Sequence, residues 1–270
     1  MGEAARRWAE LQSGRGLPPE ILAAAPADPW THDPADFTAP DTPADTPSRD
    51  AALALLSAAG PGGGTVLDVG CGGGDATFAL VGPLRSATGV DQQQDMLDLF
   101  TAGAAARGID AATVRGTWPD AARSVPGGAG GRRHDVVVSH HVLHNVVDLP
   151  PFLSALTAAA SRGVVVEMLS RHPMAWLDPL WERFHGLHRP PSATDSDAIA
   201  VLAELGITPE VRHWTRERRH PHDPAWVTRR LCLPAARADD VETAMAAVPP
   251  RDPTAVTLTW TVSGGAEPRR

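Results

Sequence analysis

The spacing of apolar residues changes along the chain, and each change marks an element. Val136-Val137-Val138 and Val164-Val165-Val166 are unbroken apolar runs. A strand with one solvated face alternates, so such runs predict parallel strands covered on both faces. Residues 65–69, 87–90 and 113–115 read as three more strands. Between the strands the spacing turns helical, over 50–59, 75–81, 95–107 and 149–160, with Met96, Leu97, Leu99 and Phe100 on the apolar positions of the third. Strand and helix in alternation predict an open α/β sheet with right-handed crossovers.

After Met168 the pattern loosens. Residues 173–185 read as an aromatic-rich helix carrying Met174, Trp176, Leu177, Leu180, Trp181 and Phe184. A helix over 195–205 takes Asp195 as its N-cap and Gly206 as its stop. Further helices are predicted over 225–233 and 238–248, and strands over 211–214 and 255–262. In the last of these, Thr257, Thr259 and Thr261 alternate with Val256, Leu258, Trp260 and Val262, as in a half-buried antiparallel strand.

The first stretch differs. From Pro18 to Pro47 prolines recur every few residues, and proline continues neither a helix nor a ladder. Residues 1–49 are therefore expected to form a mostly irregular arm. Its anchors Trp8, Leu11, Ile21, Leu22, Trp30 and Phe37 predict that it lies on the body or over a site. The expected organisation is this arm, a domain over 50–264 with a helical insertion at about 172–190, and a frayed tail over 265–270.

Composition narrows the chemistry. Of 270 residues, 24 are basic and all of these are Arg, while Tyr is absent. Schiff-base lysines, a P-loop lysine and a tyrosine base are thereby excluded. Two cysteines, Cys71 and Cys232, cannot make a disulfide scaffold or a four-cysteine metal site. A net charge of −8 argues against broad binding to nucleic acid or membrane. No apolar stretch of membrane-spanning length or secretory leader is found, so a cytoplasmic location is expected.

The main chemical signal is Asp68-Val69-Gly70-Cys71-Gly72-Gly73-Gly74, between the first strand and a helix. Gly70, Gly72 and Gly74 permit a sharp turn and a close approach to a ligand. The dinucleotide pattern G-x-G-x-x-G fails, since its third glycine would fall on Asp75 or Thr77. Asp68 would repel a pyrophosphate and suits a ligand with an ammonium group.

In these residues the chain resembles the class I S-adenosylmethionine-dependent methyltransferases. Their acidic-x-Gly-x-Gly-x-Gly motif is matched by Asp68, Gly70, Gly72 and Gly74. The acid that ends their second strand and holds the ribose is matched by Asp91, followed by Gln92. Gly116-Thr117-Trp118-Pro119-Asp120 falls where the family contacts adenine, with Thr117 and Trp118 in place of the frequent acid. Residues 134–148 resemble the fourth strand and its loop. The resemblance spans about 48–168 and implies a seven-stranded, mostly parallel Rossmann-like sheet, helices on both faces, and an antiparallel C-terminal hairpin. It also implies S-adenosylmethionine as cofactor, with Trp118 as a flat wall for adenine or else packed under its loop.

His140, His141 and His144 cluster after the fourth strand, where the resemblance puts the methyl donor. His144 takes the place of the base found in some small-molecule members. The expectation is that His144, or failing that His141, deprotonates the acceptor, while His140 lines the donor. Glu167, a carboxylate in an apolar strand, should face the site or be paired. No metal-ligand pattern accompanies the histidines, so no metal is expected. The Asn/Asp-Pro-Pro-aromatic and Pro-Cys motifs of nucleic-acid methyltransferases are missing after the fourth strand. The implied activity is methyl transfer to a small-molecule hydroxyl, amine or carbon, with the aromatic helix in the acceptor pocket. The alternatives are a non-catalytic donor-binding accessory or regulator, and an RNA methyltransferase.

Overall fold

The structure is a computed structural model and describes residues 2–30, 34–126, 133–216, 223–249 and 252–262. The glycine-rich stretch of Gly127 to Gly131, the basic residues Arg218 to His220 and the tail 265–270 lie outside the described residues.

Seven strands form one sheet in the order β3-β2-β1-β4-β5-β7-β6. They are β1 (Gly64–Val69), β2 (Leu84–Asp91), β3 (Asp110–Arg115), β4 (His134–His140), β5 (Ala160–Leu169), β6 (Glu210–Thr215) and β7 (Thr254–Thr261). The first five run parallel, and β7 is antiparallel to both β5 and β6. The C-terminal pair is not a tight hairpin. Two helices, α9 (Pro224–Arg230) and α10 (Ala238–Met245), separate its strands in sequence.

The valine runs are buried on both faces, with successive side chains entering different layers. Val136, Val138 and Val165 join Val66, Leu56 and Leu80 in one cluster. Val137, Val164 and Val166 join Leu67, Phe152 and Trp8 in another. The first layer is covered by α3 (Pro47–Ser57), whose N-cap Thr46 accepts from the Arg49 amide. The second is covered by α6 (Leu149–Ala159), α8 (Asp195–Glu204) and α1 (Glu3–Ser13). Each large side chain so buried contributes roughly 1.5–3 kcal/mol relative to exposure.

The N-terminal region departs from the expected irregular arm. Residues 3–13 form α1, because Ala5, Trp8 and Gln12 recur at helical spacing and place Trp8 wholly inside the core. The Trp8 indole donates to the Val146 carbonyl at 2.8 Å, and Gln12 Nε2 donates to the His144 carbonyl at 2.7 Å. This helix thus braces the loop after β4. A short α2 (Pro19–Ala24) follows, and a single 3-10 turn at Pro34–Phe37.

The aromatic segment also differs in detail. A 3-10 turn at Ala175–Leu177 leads into α7 (Asp178–His185), which ends at Gly186 with φ 62°. Leu177, Leu180 and Trp181 pack with Val227, Leu231 and Val241 in a separate apolar cluster. The insertion is therefore one part of a larger helical cap shared with α9 and α10. The cap of α8 is Thr194, not Asp195. Thr194 and Asp197 form a reciprocal capping box. Asp195 instead accepts from Ser170 at 2.6 Å and lies 2.8 Å from His213 Nε2.

Candidate active site

The glycine loop follows β1 and precedes α4 (Asp75–Phe78), at the carboxyl edge of the sheet. Gly70, Gly72 and Gly74 have φ of 74°, 49° and 90°, a region that glycine enters without steric cost. Their roles differ. A Cβ on Gly70 would lie 2.3 Å from Val142 Cγ2, so the loop after β4 presses directly on it. A Cβ on Gly74 would strike the Phe78 ring at 2.2 Å, and Gly74 does not line the cleft; it serves packing at the start of α4. Gly73 lines the cleft in its place. Its added Cβ would fall 2.0 Å from the Phe37 carbonyl oxygen, so the arm lies across the loop.

Two carboxylates flank this turn. Asp91, at the end of β2, accepts from the Gly72 amide at 3.1 Å and the Gln93 amide at 2.9 Å. Each oxygen keeps a lone pair for a further donor. Gln92 lines the cleft beside it. Asp68 is buried and accepts from Thr77 Oγ1 at 2.7 Å. Burial, aided by Asp91 and Asp75, pushes its pKa up to about 7, against the hydroxyl and backbone of Thr77, which favour the charged form. Cys71 is also buried, and burial together with Asp68 and Asp91 drives its thiol far up, out of nucleophilic range.

The three histidines after β4 occupy three different environments. His140, at the strand end, has Nδ1 3.9 Å from Glu167 Oε2, and its Nε2 is buried with no hydrogen-bond partner among the described residues. Burial lowers its pKa, with Glu167 opposing. His141 has φ 61°, an uncommon conformation for a side chain of this size. That backbone lets the His141 amide donate to the Glu167 carbonyl at 2.7 Å while its Nε2 lies 2.9 Å from Glu167 Oε1. His144 is buried, with Nε2 2.8 Å from the Leu169 carbonyl. A carbonyl only accepts, so Nε2 carries the proton and Nδ1 holds the lone pair. Burial pushes the His144 pKa down to about 4, and its Nδ1 is buried without a partner.

Glu167 is the residue whose role the sequence understated. Strand β5 pairs it with His140 across the ladder, and its side chain reaches His141. Burial alone would raise its carboxyl. The two histidines and Ser48 outweigh that and hold it well below the usual carboxylate range. An anchored carboxylate against a neutral imidazole fixes which ring nitrogen is protonated. In the neutral ring of His141 that leaves the lone pair on Nδ1.

A cleft of about 1180 Å³ gathers these groups. Asp68, Gly70, Gly72, Asp91, Gln92, His140, His141, His144 and Glu167 all line it. Thr117 and Trp118 do not. The Trp118 indole turns to the Phe152 carbonyl at 3.2 Å and packs with the core beside α6, so it forms no wall of the cleft. The far side is roofed by Leu17, Trp30, Met174, Leu177 and Trp181 from the cap and the N-terminal region. This volume exceeds that of a typical single-ligand pocket and leaves room for two molecules.

Comparison with known proteins places this geometry. Residues 67–166 match the family described as "Methyltransferase domain". Over 115 residues the chain is 30% identical to the ubiquinone biosynthesis O-methyltransferase of Serratia proteamaculans (strain 568), a match covering 42% of this chain. The chain thus spans about half, 46%, of the length of that curated relative. Among solved structures, the YcgJ protein of Bacillus subtilis superposes with a TM-score of 0.55 at 15% identity, over 81% of this chain and 99% of that one. The magnesium protoporphyrin IX methyltransferase of Synechocystis PCC 6803 gives 0.49 at 15% identity, over 80% and 82%. The first of these likenesses concerns the sheet and its helices, in agreement with the strand order above.

Proposed function

We propose that this chain, whose residues 67–166 match a methyltransferase domain, is a class I S-adenosylmethionine-dependent methyltransferase that moves the donor's methyl group onto a hydroxyl of a small molecule. The residues at the glycine loop fit the donor. The Gly70–Gly73 wall is open where side chains would close it, and Asp91 keeps acceptor capacity for ribose hydroxyls. Asp68 is a buried carboxylate without a cation, which an ammonium group would complete. When bound, the donor supplies an electrophilic methyl on a sulfonium.

The chain's own residues then have two tasks. One is to hold the acceptor in line with that methyl and exclude water, which the cap over the cleft serves. The other is to take the acceptor's proton. The observation that carries the reading is that His141, oriented by Glu167 at 2.9 Å, lines the same cleft as the glycine loop. Such a pair supports catalysis over donor binding alone, and a base is most useful for a hydroxyl, a poor nucleophile at neutral pH. The 30% identical relative being named an O-methyltransferase supports the same acceptor atom.

The test is product trapping. The purified chain is incubated with isotope-labelled methyl donor and a small-molecule extract, and labelled products are identified by mass spectrometry. A labelled methyl ether formed by the parent and lost in His141→Ala supports the reading. Labelled amines, or no labelled product with any extract, would sink it.

A further inference from the structure

The acids lining the cleft, Asp36, Asp45, Asp68, Asp75, Asp91 and Glu167, come from the donor end and the arm over it, where Arg49 and Arg216 also line it. Among the described residues the cap end contributes Arg15, Arg189 and Arg230 and no acid.

The three arginines are not equivalent. Arg15 is neutralised from behind by Asp178, with bonds of 2.7 and 3.1 Å, and it also donates to the Pro190 carbonyl. Arg230 is almost wholly buried, stacks over Trp226 at 4.8 Å, and has Asp28 in its electrostatic surroundings. Arg189 is different. Among the described residues its hydrogen bonds run to the backbone carbonyls of Gly16 and Arg15, and it has no ion pair. Its Nε is buried with no partner. Burial and the neighbouring Arg15 both work against its charge, and Asp178, itself paired to Arg15, opposes them. The guanidinium sits 5.8 Å over the Trp181 ring, against an apolar surface that includes Leu177 and Met174. A half-buried cation without a counter-ion, facing a cavity, is a costly arrangement that an anion in the cavity relieves.

We propose that Arg189 is the acceptor's anion site, and that the acceptor is an apolar, hydroxyl-bearing carboxylic acid. This rests on the methyltransferase reading and adds the substrate class. A planar guanidinium matches a planar carboxylate through paired N–H donors, and Leu17 and Met174, which line the cap side of the cleft, match an apolar body. The position of Arg189 also orients the acceptor. Its acid is drawn to the cap, away from Glu167 and Asp68, which leaves the hydroxyl end toward His141.

The test is a binding experiment on the full chain saturated with S-adenosylhomocysteine. The probes are 6-hydroxy-2-naphthoate, its neutral amide, and the corresponding sulfonate. The parent should bind the carboxylate at least tenfold tighter than the amide. Arg189→Gln should abolish that preference, and Arg189→Lys should retain part of it. Affinity for S-adenosylhomocysteine, measured separately by calorimetry, should change less than twofold in both variants. Equal or undetectable binding of carboxylate and amide by the parent overturns the proposal, even if a variant fails to fold. So does a preference that survives Arg189→Gln. Tighter binding of the sulfonate than of the carboxylate overturns the carboxylate assignment. Loss of S-adenosylhomocysteine binding in Arg189→Gln overturns it too, because the arginine would then hold the donor's own carboxylate. A parent that binds no S-adenosylhomocysteine fails the methyltransferase reading instead, which keeps the two failures apart.

Discussion

Glu167 Oε1 lies 2.9 Å from His141 Nε2, while the amide of His141 donates to the carbonyl of the same glutamate. Two contacts between one pair of residues lock the ring relative to strand β5. The left-handed backbone of His141, φ 61°, is the conformational cost, on the order of 1 kcal/mol. The consequence is a ring orientation that is set before any substrate arrives, as the proposed role of His141 as base requires.

His141→Ala should therefore lower turnover by about 10²–10⁴-fold, the usual range for removal of a general base. Donor affinity should be unchanged, because no donor contact is lost. Glu167→Gln should lower turnover as well, since the amide can present its NH2 to His141 and invert the ring's tautomer. Single-turnover kinetics with calorimetry of donor binding checks both. Near-normal turnover in His141→Ala would leave proximity as the sole source of rate.

Asp68 should report donor binding as a proton release. Its carboxyl titrates near 7 because it is buried, so at pH 7 about half the molecules carry a proton there. An ammonium group stabilises the charged form and expels that proton. Calorimetry of S-adenosylhomocysteine at pH 7 in buffers of different ionisation enthalpy should show release of about half a proton, fading by about pH 9. Asp68→Asn should show none and bind at least about tenfold more weakly. With no ligand the sign for stability is the reverse of a paired acid. The raised carboxyl binds more protons folded than unfolded, so this term is lost as pH rises from about 4 to about 7.

The sheet was legible because its valine runs carry the information locally: Val136–Val138 and Val164–Val166 are buried on both faces whatever else the chain does. Asp91 and the glycines were legible for the same reason, since a turn after a strand is a property of a few adjacent residues. What escaped is non-local. Helix α1 was hidden by the prolines that follow it, although Trp8 and Gln12 already sat at helical spacing. The proposed preference for His141 over His144 depends on Glu167, 26 residues away on a neighbouring strand, and on the Leu169 carbonyl that accepts from His144 Nε2. Trp118 was drawn to the core by the Phe152 carbonyl, a partner no motif contains.

His144 should behave as a structural residue that opposes acid. Its pKa near 4 lies below the value of about 6.5 in an unfolded chain, so between those limits the unfolded state binds the extra proton. Stability from this group is present above pH 6.5 and lost as pH falls toward 4, a difference on the order of 2–3 kcal/mol. Urea unfolding of the parent and His144→Gln at pH 7 and pH 4.5 isolates it. The variant should lose less stability on acidification than the parent. A parallel loss in both would mean that His144 is protonated in the folded protein.

Gly73→Ala tests the seat of the N-terminal segment on the donor site. An alanine Cβ there would lie 2.0 Å from the Phe37 carbonyl oxygen, far inside contact distance, and that obstacle is backbone and not a side-chain tip. The turn itself tolerates alanine, since Gly73 does not have a positive φ. Hence the segment over the loop must move while the loop keeps its shape. That segment is held on its other side by Arg107, which donates to the Pro40 carbonyl at 3.2 Å. Phe37 also lines the cleft, so its displacement opens the donor end to water. We expect Gly73→Ala to raise the donor's dissociation rate by roughly tenfold, about 1.4 kcal/mol, and to increase protease cleavage between residues 25 and 46. The melting temperature should change little, because the core clusters are untouched. Gly62→Ala is the control, as its added Cβ meets nothing within 4 Å. Unaltered donor release and cleavage in Gly73→Ala would mean that the segment does not cover the donor, and that its contact with the loop is incidental to binding.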